Sequence, residues 1–171
     1  MNSLLVTYIL QTEKWTSPEL FETKNRIYTF LNPVSYLIAL ENKSLFEQFD
    51  GIFADGSLLV SAIRLVYGKR VTRRSFDMTS LAPELLNYLM ESRKTLYIVA
   101  SGQEQVECAV RIFQEQYPEL RIAGFRNGYF SSDAEMDMEA SHIVELNPDF
   151  LIVGMGALMQ EKFLLKVKRM G

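Results

Sequence analysis

Cysteine and histidine are nearly missing from this chain of 171 residues, which has one of each, Cys108 and His142. A lone cysteine excludes an intrachain disulfide framework, a cysteine-based zinc site and a CxxC redox pair, and fits a reducing compartment. A lone histidine beside Ile143 and Val144, with no GxSxG elbow, leaves Ser-His-Asp hydrolysis without its parts. His142 is therefore expected as a packed or partly exposed helical residue, and Cys108, among Val106, Ala109 and Val110, as buried filler. No Asp-x-Asp triplet or His/Cys cluster suggests a metal, so none is expected. No apolar run approaches the roughly 18 to 20 residues that cross a bilayer. The opening MNSLLVTYILQTEKW has neither the basic leader nor the cleavage site of a signal peptide, so a cytoplasmic location is expected. An excess of positive charge is missing too: 18 Lys and Arg against 21 Asp and Glu give a formal charge of -3, no footprint for nucleic acid. GxGxxG and GxxxxGK[ST] are both absent, which lowers the case for NAD enzymes and P-loop hydrolases.

What the chain does contain is an alternation of short apolar, β-rich runs with longer segments of helical period. Strands are expected at Leu4 to Ile9, Arg26 to Leu31, Gly51 to Ala54, Thr95 to Ala100, Arg121 to Phe125 and Phe150 to Gly154. Helices are expected at Pro33 to Asn42, Ser57 to Tyr67, Thr79 to Ser92, Gln103 to Gln116, Asp133 to Leu146 and Leu158 to Arg169. Pro33 suits a first helical turn, and Ser57 and Asp133 suit N-caps. Trp15 to Asn25 reads as a polar surface loop. The pattern implies an α/β fold: a Rossmann-like, mostly parallel sheet with helices on both faces, in a single domain spanning 1–171. Lys162, Lys166, Lys168 and Arg169 read as a solvated helix face, with peripheral membrane contact as the alternative.

Ligands of open parallel sheets sit beyond the carboxyl ends of the strands, so the residues after each run are the ones to weigh. Thr29 and Asn32 could orient sugar hydroxyls, or serve as a β-branched strand residue and a helix cap. Asp55, in Ala54-Asp55-Gly56, could take a proton from a hydroxyl, or bind the amides of its own turn. Arg70, Arg73 and Arg74 could meet phosphate, or form a basic loop in which an Arg pairs with Asp77. Ser101 and Gly102 let a ligand approach a helix N-terminus, or simply make a turn. Asn127, Gly128, Tyr129 and Phe130 could face a base or sugar, or be a turn with aromatics packed into the core. Gly154 and Gly156 allow a close turn before Gln160, although Gln160 and Glu161 could equally be ordinary exposed helix residues.

Taken in order, Thr29 to Asn32, Ala54-Asp55-Gly56, Arg74-Ser75-Phe76-Asp77-Met78-Thr79-Ser80, Gly128-Tyr129-Phe130 and Gly154-Met155-Gly156 through Gln160-Glu161 resemble the WecG/TagA/CpsF glycosyltransferases, glycosyltransferase family 26. The resemblance spans roughly residues 25 to 165. It implies an inverting, metal-independent enzyme that moves a hexose, an N-acetylhexosamine or its uronic acid from a UDP-sugar to a polyprenyl-diphosphate-linked sugar in bacterial surface polysaccharide synthesis. It makes Asp55 the general base and Thr29 a second active-site residue, with Asn32 positioning the sugars. Ser101, Gly102, Asn127, Gly128, Tyr129, Gly154, Gly156 and Gln160 would line the nucleotide-sugar cleft. It also implies a cytoplasmic protein peripheral on the inner face of the membrane, and leaves a homo-oligomer open. The chain departs from the family at Leu158 and Met159, where Pro and a basic residue are common, and at Phe163, where Trp is frequent. Family members usually continue into a C-terminal membrane-docking segment that brings arginine to the site. Two alternatives follow, a shortened chain or one in which another group, Arg73 or Arg74, supplies the cation, and the 171-residue form is expected to have low activity. The rival reading is a noncatalytic nucleotide-sugar-binding module, and a dehydrogenase or methyltransferase on the same topology is a third.

Overall fold

The computed structural model describes residues 4–171. In chain order its elements are α1 (Leu4–Thr12), α2 (Ser17–Glu22), β1 (Tyr28–Leu31), α3 (Pro33–Glu41), α4 (Lys43–Phe46), β2 (Gly51–Ala54) and α5 (Ser57–Tyr67). They continue with α6 (Leu81–Glu91), β3 (Thr95–Ala100), α7 (Gln103–Gln116), β4 (Arg121–Arg126), α8 (Asp133–Leu146), β5 (Phe150–Gly154) and α9 (Met159–Met170). The fold is α/β and Rossmann-like, with parallel strands flanked by helices. The strands pair as β1-β2 and as β4-β3-β5. One set lies in each of two compact units, Met1–Leu85 and Leu86–Gly171.

In the first unit β1 and β2 run in register from Tyr28↔Gly51 to Leu31↔Ala54, and all four residues of β2 are buried. Helix α1 packs on β2. Its sequence was expected to form a strand, and the structure corrects this: Leu5, Val6, Ile9 and Thr12 make a buried face of helical period. The last member of that face, Thr12, is polar and lies beyond the expected strand. Its Oγ1 lies 2.8 Å from the Ile9 carbonyl and 2.9 Å from that of Ile52, so the buried hydroxyl is satisfied. Gly51 is required by close approach, since a Cβ there would sit 2.8 Å from Tyr28 Cδ1 and 2.9 Å from Trp15 Cζ3. The expected loop after Trp15 contains α2 instead. Glu19 closes a capping box, accepting from the Thr16 amide at 2.7 Å and the Thr16 hydroxyl at 2.9 Å, and a proline stands in the first turn.

In the second unit β3 is central and buried through Leu96, Tyr97, Ile98 and Val99, between β4 and β5. Tyr97 and Val99 pack with Met136, Ala140, Ile143 and Phe163 to form a core beneath α8 and α9. Cys108 is exposed, not buried. Helix α7 buries Val106 and Val110, one turn apart, which places Cys108 on the opposite side. His142 is exposed, with its ring edge-on to Tyr97 at 6.1 Å. Two expected caps shift by one residue: Gly56 precedes α5, where its φ of +87° suits only glycine, and Ser132 caps α8 by accepting from the Glu135 amide.

Candidate functional site

Residues at the ends of β1 and β2 form one constellation. The Asp55 amide donates to the Leu31 carbonyl at 2.8 Å and the Arg74 amide to the Ala54 carbonyl at 2.9 Å. The segment after α5 thereby returns beside the end of β2. Arg73 Nη2 lies 3.7 Å from Asp55 Oδ1 and 2.8 Å from Asp77 Oδ2. Asp77 is a fixed anchor: it accepts from the Ser75 hydroxyl at 2.6 Å, and from the Thr79 hydroxyl at 2.7 Å and amide at 2.8 Å. Those three bonds, and then Arg73, hold its carboxyl well below the usual carboxylate range. Asp55 differs: its carboxylate makes no hydrogen bond among the described residues, and its side chain is 33% exposed. Arg74 turns inward, donating to the Thr12 carbonyl at 3.4 Å with its guanidinium 5.7 Å from the Phe53 ring.

Asn32 is exposed and caps α3. Its Oδ1 accepts from the Ser35 amide at 2.9 Å, while the Asn32 amide donates to Ser35 Oγ at 2.8 Å. The cap uses only the oxygen, so the carboxamide nitrogen remains available to a ligand. Thr29 pairs with Ile52 inside β1 and is 2% exposed.

In the second unit the ends of three strands are tied through Ser101. Its amide donates to the Gly154 carbonyl at 3.0 Å, and its carbonyl accepts from the Gly128 amide at 2.8 Å. Gly102 precedes the 14-residue α7 without a side-chain cap, and the Gln105 carboxamide folds back over it. A Cβ on Gly128 would sit 2.8 Å from Met155 Cγ, so a larger residue there would have to displace the Met155 side chain. Asn127 Oδ1 accepts from the Tyr129 amide at 3.0 Å and its Nδ2 donates to Gln103 at 3.1 Å. The aromatic pair divides: Tyr129 is 74% exposed, whereas Phe130 packs on Phe163 with centroids 5.4 Å apart.

Glu161, read as a candidate exposed residue, is fully buried. Its carboxylate accepts from the Leu158 amide at 2.6 Å and from Gln160 Nε2 at 3.0 Å. It thus steadies a turn in which Gly156 and Leu158 have φ of +88° and +74°, and it orients the Gln160 carboxamide. Leu158 followed three residues later by Glu161 was the available signal, hidden because leucine is not a usual cap.

Arg126, at the end of β4, was missed by sequence reasoning. Its Nε donates to the Asn127 carbonyl at 3.0 Å, and Nη2 to the Tyr129 carbonyl at 3.0 Å and Glu135 at 3.1 Å. The guanidinium also lies 4.0 Å from the Phe130 ring and 3.7 Å from Glu139, which accepts from the Tyr97 hydroxyl at 2.7 Å. Burial, then Glu139, pushes the Tyr97 phenol up. Glu135 and Glu139, four apart on α8, were a readable partner pair.

The Ser131 amide and hydroxyl, and then Arg126, pull Glu135 down from 4.5 to about 2. A carboxyl depressed in the folded state contributes stability above its ordinary value and loses it as pH falls through the folded one. The urea-midpoint difference between wild type and Glu135→Gln is therefore expected to hold steady above pH 4.5 and shrink between 4.5 and about 2. A difference that ignores pH in this window would show that ionisation of Glu135 is not what organises the loop.

Among the described residues no group of three or more His, Cys, Asp or Glu could hold a metal ion, and no helix is long and apolar enough to cross a membrane. The Glycosyl transferase WecG/TagA/CpsF family matches the chain over residues 9–170. A Shigella boydii protein named UDP-Gal:alpha-D-GlcNAc-diphosphoundecaprenol beta-1,4-galactosyltransferase is 32% identical over 142 residues, covering 83% of this chain and 59% of that protein. An N-acetylglucosaminyldiphosphoundecaprenol N-acetyl-beta-D-mannosaminyltransferase of Bacillus subtilis (strain 168) is 24% identical over 168 residues, 96% of this chain and 62% of its own length. Its Staphylococcus aureus (strain NCTC 8325 / PS 47) namesake is 26% identical over 146 residues, 84% and 56% respectively. The chain thus spans about three-fifths of the length of the curated relatives it matches.

Proposed function

The chain belongs to the WecG/TagA/CpsF glycosyl transferase family, and from that premise we propose that it transfers a sugar, with inversion, from a UDP-sugar to a polyprenyl-diphosphate-linked sugar in surface polysaccharide synthesis. The observation that carries the reading is Asp55: a half-exposed carboxylate at a strand end, not engaged by its own turn, with Arg73 at 3.7 Å. An acceptor hydroxyl donating to Asp55 would lose its proton as its oxygen attacks the anomeric carbon, and UDP would leave. The free Asn32 carboxamide nitrogen would orient hydroxyls, and Arg73 is the exposed cation offered to phosphate. Within the second unit, taken by itself, we assign nucleotide contacts to the glycine turns, the N-terminal amides of α7, Tyr129 and Gln160. Stabilisation of the leaving diphosphate is assigned to side-chain cations and helix amides, without a metal. Thr29 would need to be uncovered to touch substrate, so we give it no step.

The names of the relatives support an acceptor more narrowly than a donor. They share an N-acetylglucosamine-diphosphoundecaprenol acceptor and a beta product, while the sugar moved differs. We therefore expect the same acceptor class here, at the membrane surface, and leave the donor to experiment. UDP titration should give saturable binding. A panel of UDP-hexoses and UDP-N-acetylhexosamines, with a soluble N-acetylglucosaminyl-diphospho-lipid, should yield UDP and a beta-linked disaccharide for one donor. UDP binding with no product from any donor would favour the noncatalytic module instead.

A further inference from the structure

Helix α5 has two apolar faces. Leu59 and Ile63 are buried. On the other side Leu58, Leu65 and Val66 are 69%, 87% and 69% exposed. At the helical repeat, Leu58, Ala62, Leu65 and Val66 fall within an arc of about 100°. The stripe is therefore continuous, unlike the exposed apolar residues scattered singly over most surfaces. Arg64 on the same helix and Lys69 and Arg70 just after it are exposed and in no ion pair among the described residues. From Gly56 to Phe76 the sequence has five cations and not one Asp or Glu, in a chain whose net charge is -3.

We propose that this face of α5 is a docking surface for an anionic lipid bilayer. An exposed apolar stripe, with unpaired cations on the same helix and just beyond its end, suits a helix lying in the plane of a membrane interface, its apolar residues at the acyl boundary and its cations among headgroups. Charge decides against a second copy of this chain. A two-fold interface would set the same cations against each other with no carboxylate to neutralise them, whereas anionic headgroups supply the missing charge. The surface has a use that rests on the proposed transferase reading. Asp55 and Gly56 lead directly into α5, so a helix seated on the bilayer carries the proposed base to where a lipid-linked acceptor resides.

The test is co-sedimentation with phosphatidylcholine vesicles, pure or containing about one-third phosphatidylglycerol, with UDP titration of each variant in parallel. Wild type is expected to bind the anionic vesicles only. Each cation near such a surface is worth roughly fivefold in partitioning, so Arg64→Gln/Lys69→Gln should weaken binding on the order of 25-fold. Leu65→Glu/Val66→Glu should weaken it at least tenfold. Met138→Glu, the same change at a residue 74% exposed on α8, should bind like wild type. All variants should keep the wild-type UDP response, since none touches the strand ends. Equal binding to neutral vesicles, an equal loss in Met138→Glu, or no loss in Leu65→Glu/Val66→Glu would overturn the proposal. So would a wild-type dimer that binds no vesicles and is dissociated by Leu65→Glu/Val66→Glu. Vesicle binding in the expected pattern without any UDP binding would remove the transferase reading and leave the lipid surface standing.

Discussion

Asp55→Asn is expected to lower sugar transfer by about 10²- to 10⁴-fold, the usual contribution of a general base, while UDP affinity and folding stability stay near wild type. The substitution keeps size and shape and removes only the capacity to accept a proton. Stability is the discriminating control. An aspartate that served its own turn would hold nearby amides, and losing it would weaken the fold. Here the backbone amide of Asp55 makes the structural bond, to Leu31, and asparagine retains it. The carboxylate that holds a nearby amide is that of Asp77, in its own segment, through Ser75, Thr79 and Arg73. A variant with wild-type turnover would eliminate Asp55 as the base. One that lost stability and UDP binding along with turnover would make it structural.

The largest loss of stability is expected from Phe163→Ala, at about 3–5 kcal/mol by urea denaturation, in the range for truncating a fully buried aromatic. Phe163 is 0% exposed and lies among Tyr97, Val99, Met136, Ala140 and Ile143. The cavity would open beneath Phe130, which packs on Phe163 on one side and under the Arg126 guanidinium on the other. The loop bearing Tyr129 loses one of its two supports, so weaker UDP binding should accompany the lower midpoint. A loss below about 1 kcal/mol would mean that the core refills the space, contrary to the close packing of protein interiors.

Six elements can be read from the sequence residue for residue: β2, β3, β5, α5, α7 and α8. They share sharp punctuation, such as Asp55-Gly56 after β2 and Gly68 in the left-handed conformation after α5. Where a polar residue sits on a buried face, pattern alone misleads. Leu4 to Ile9 looks β-like as a short apolar run, and the helical face shows only when it is extended to Thr12, whose hydroxyl is satisfied by Ile52 from 40 residues away. Glu161 failed in the same way, since a carboxylate marks an exposed face unless its hydrogen-bond partners are known. The positions of Asn32, Asp55, Ser101, Gly128 and Gly154 were readable because strand ends follow from topology. Arg126 was not, because its acceptors include carbonyls of a loop whose path only the structure displays.

Asn32 divides its carboxamide, the oxygen given to the first turn of α3 and the nitrogen left outward. Serine, threonine or aspartate would satisfy the helix equally well, yet none offers two outward N–H donors. Substitution tolerance at this position therefore measures one demand at a time: a chain that folds with any of the four but is selected for asparagine is being selected by its ligand.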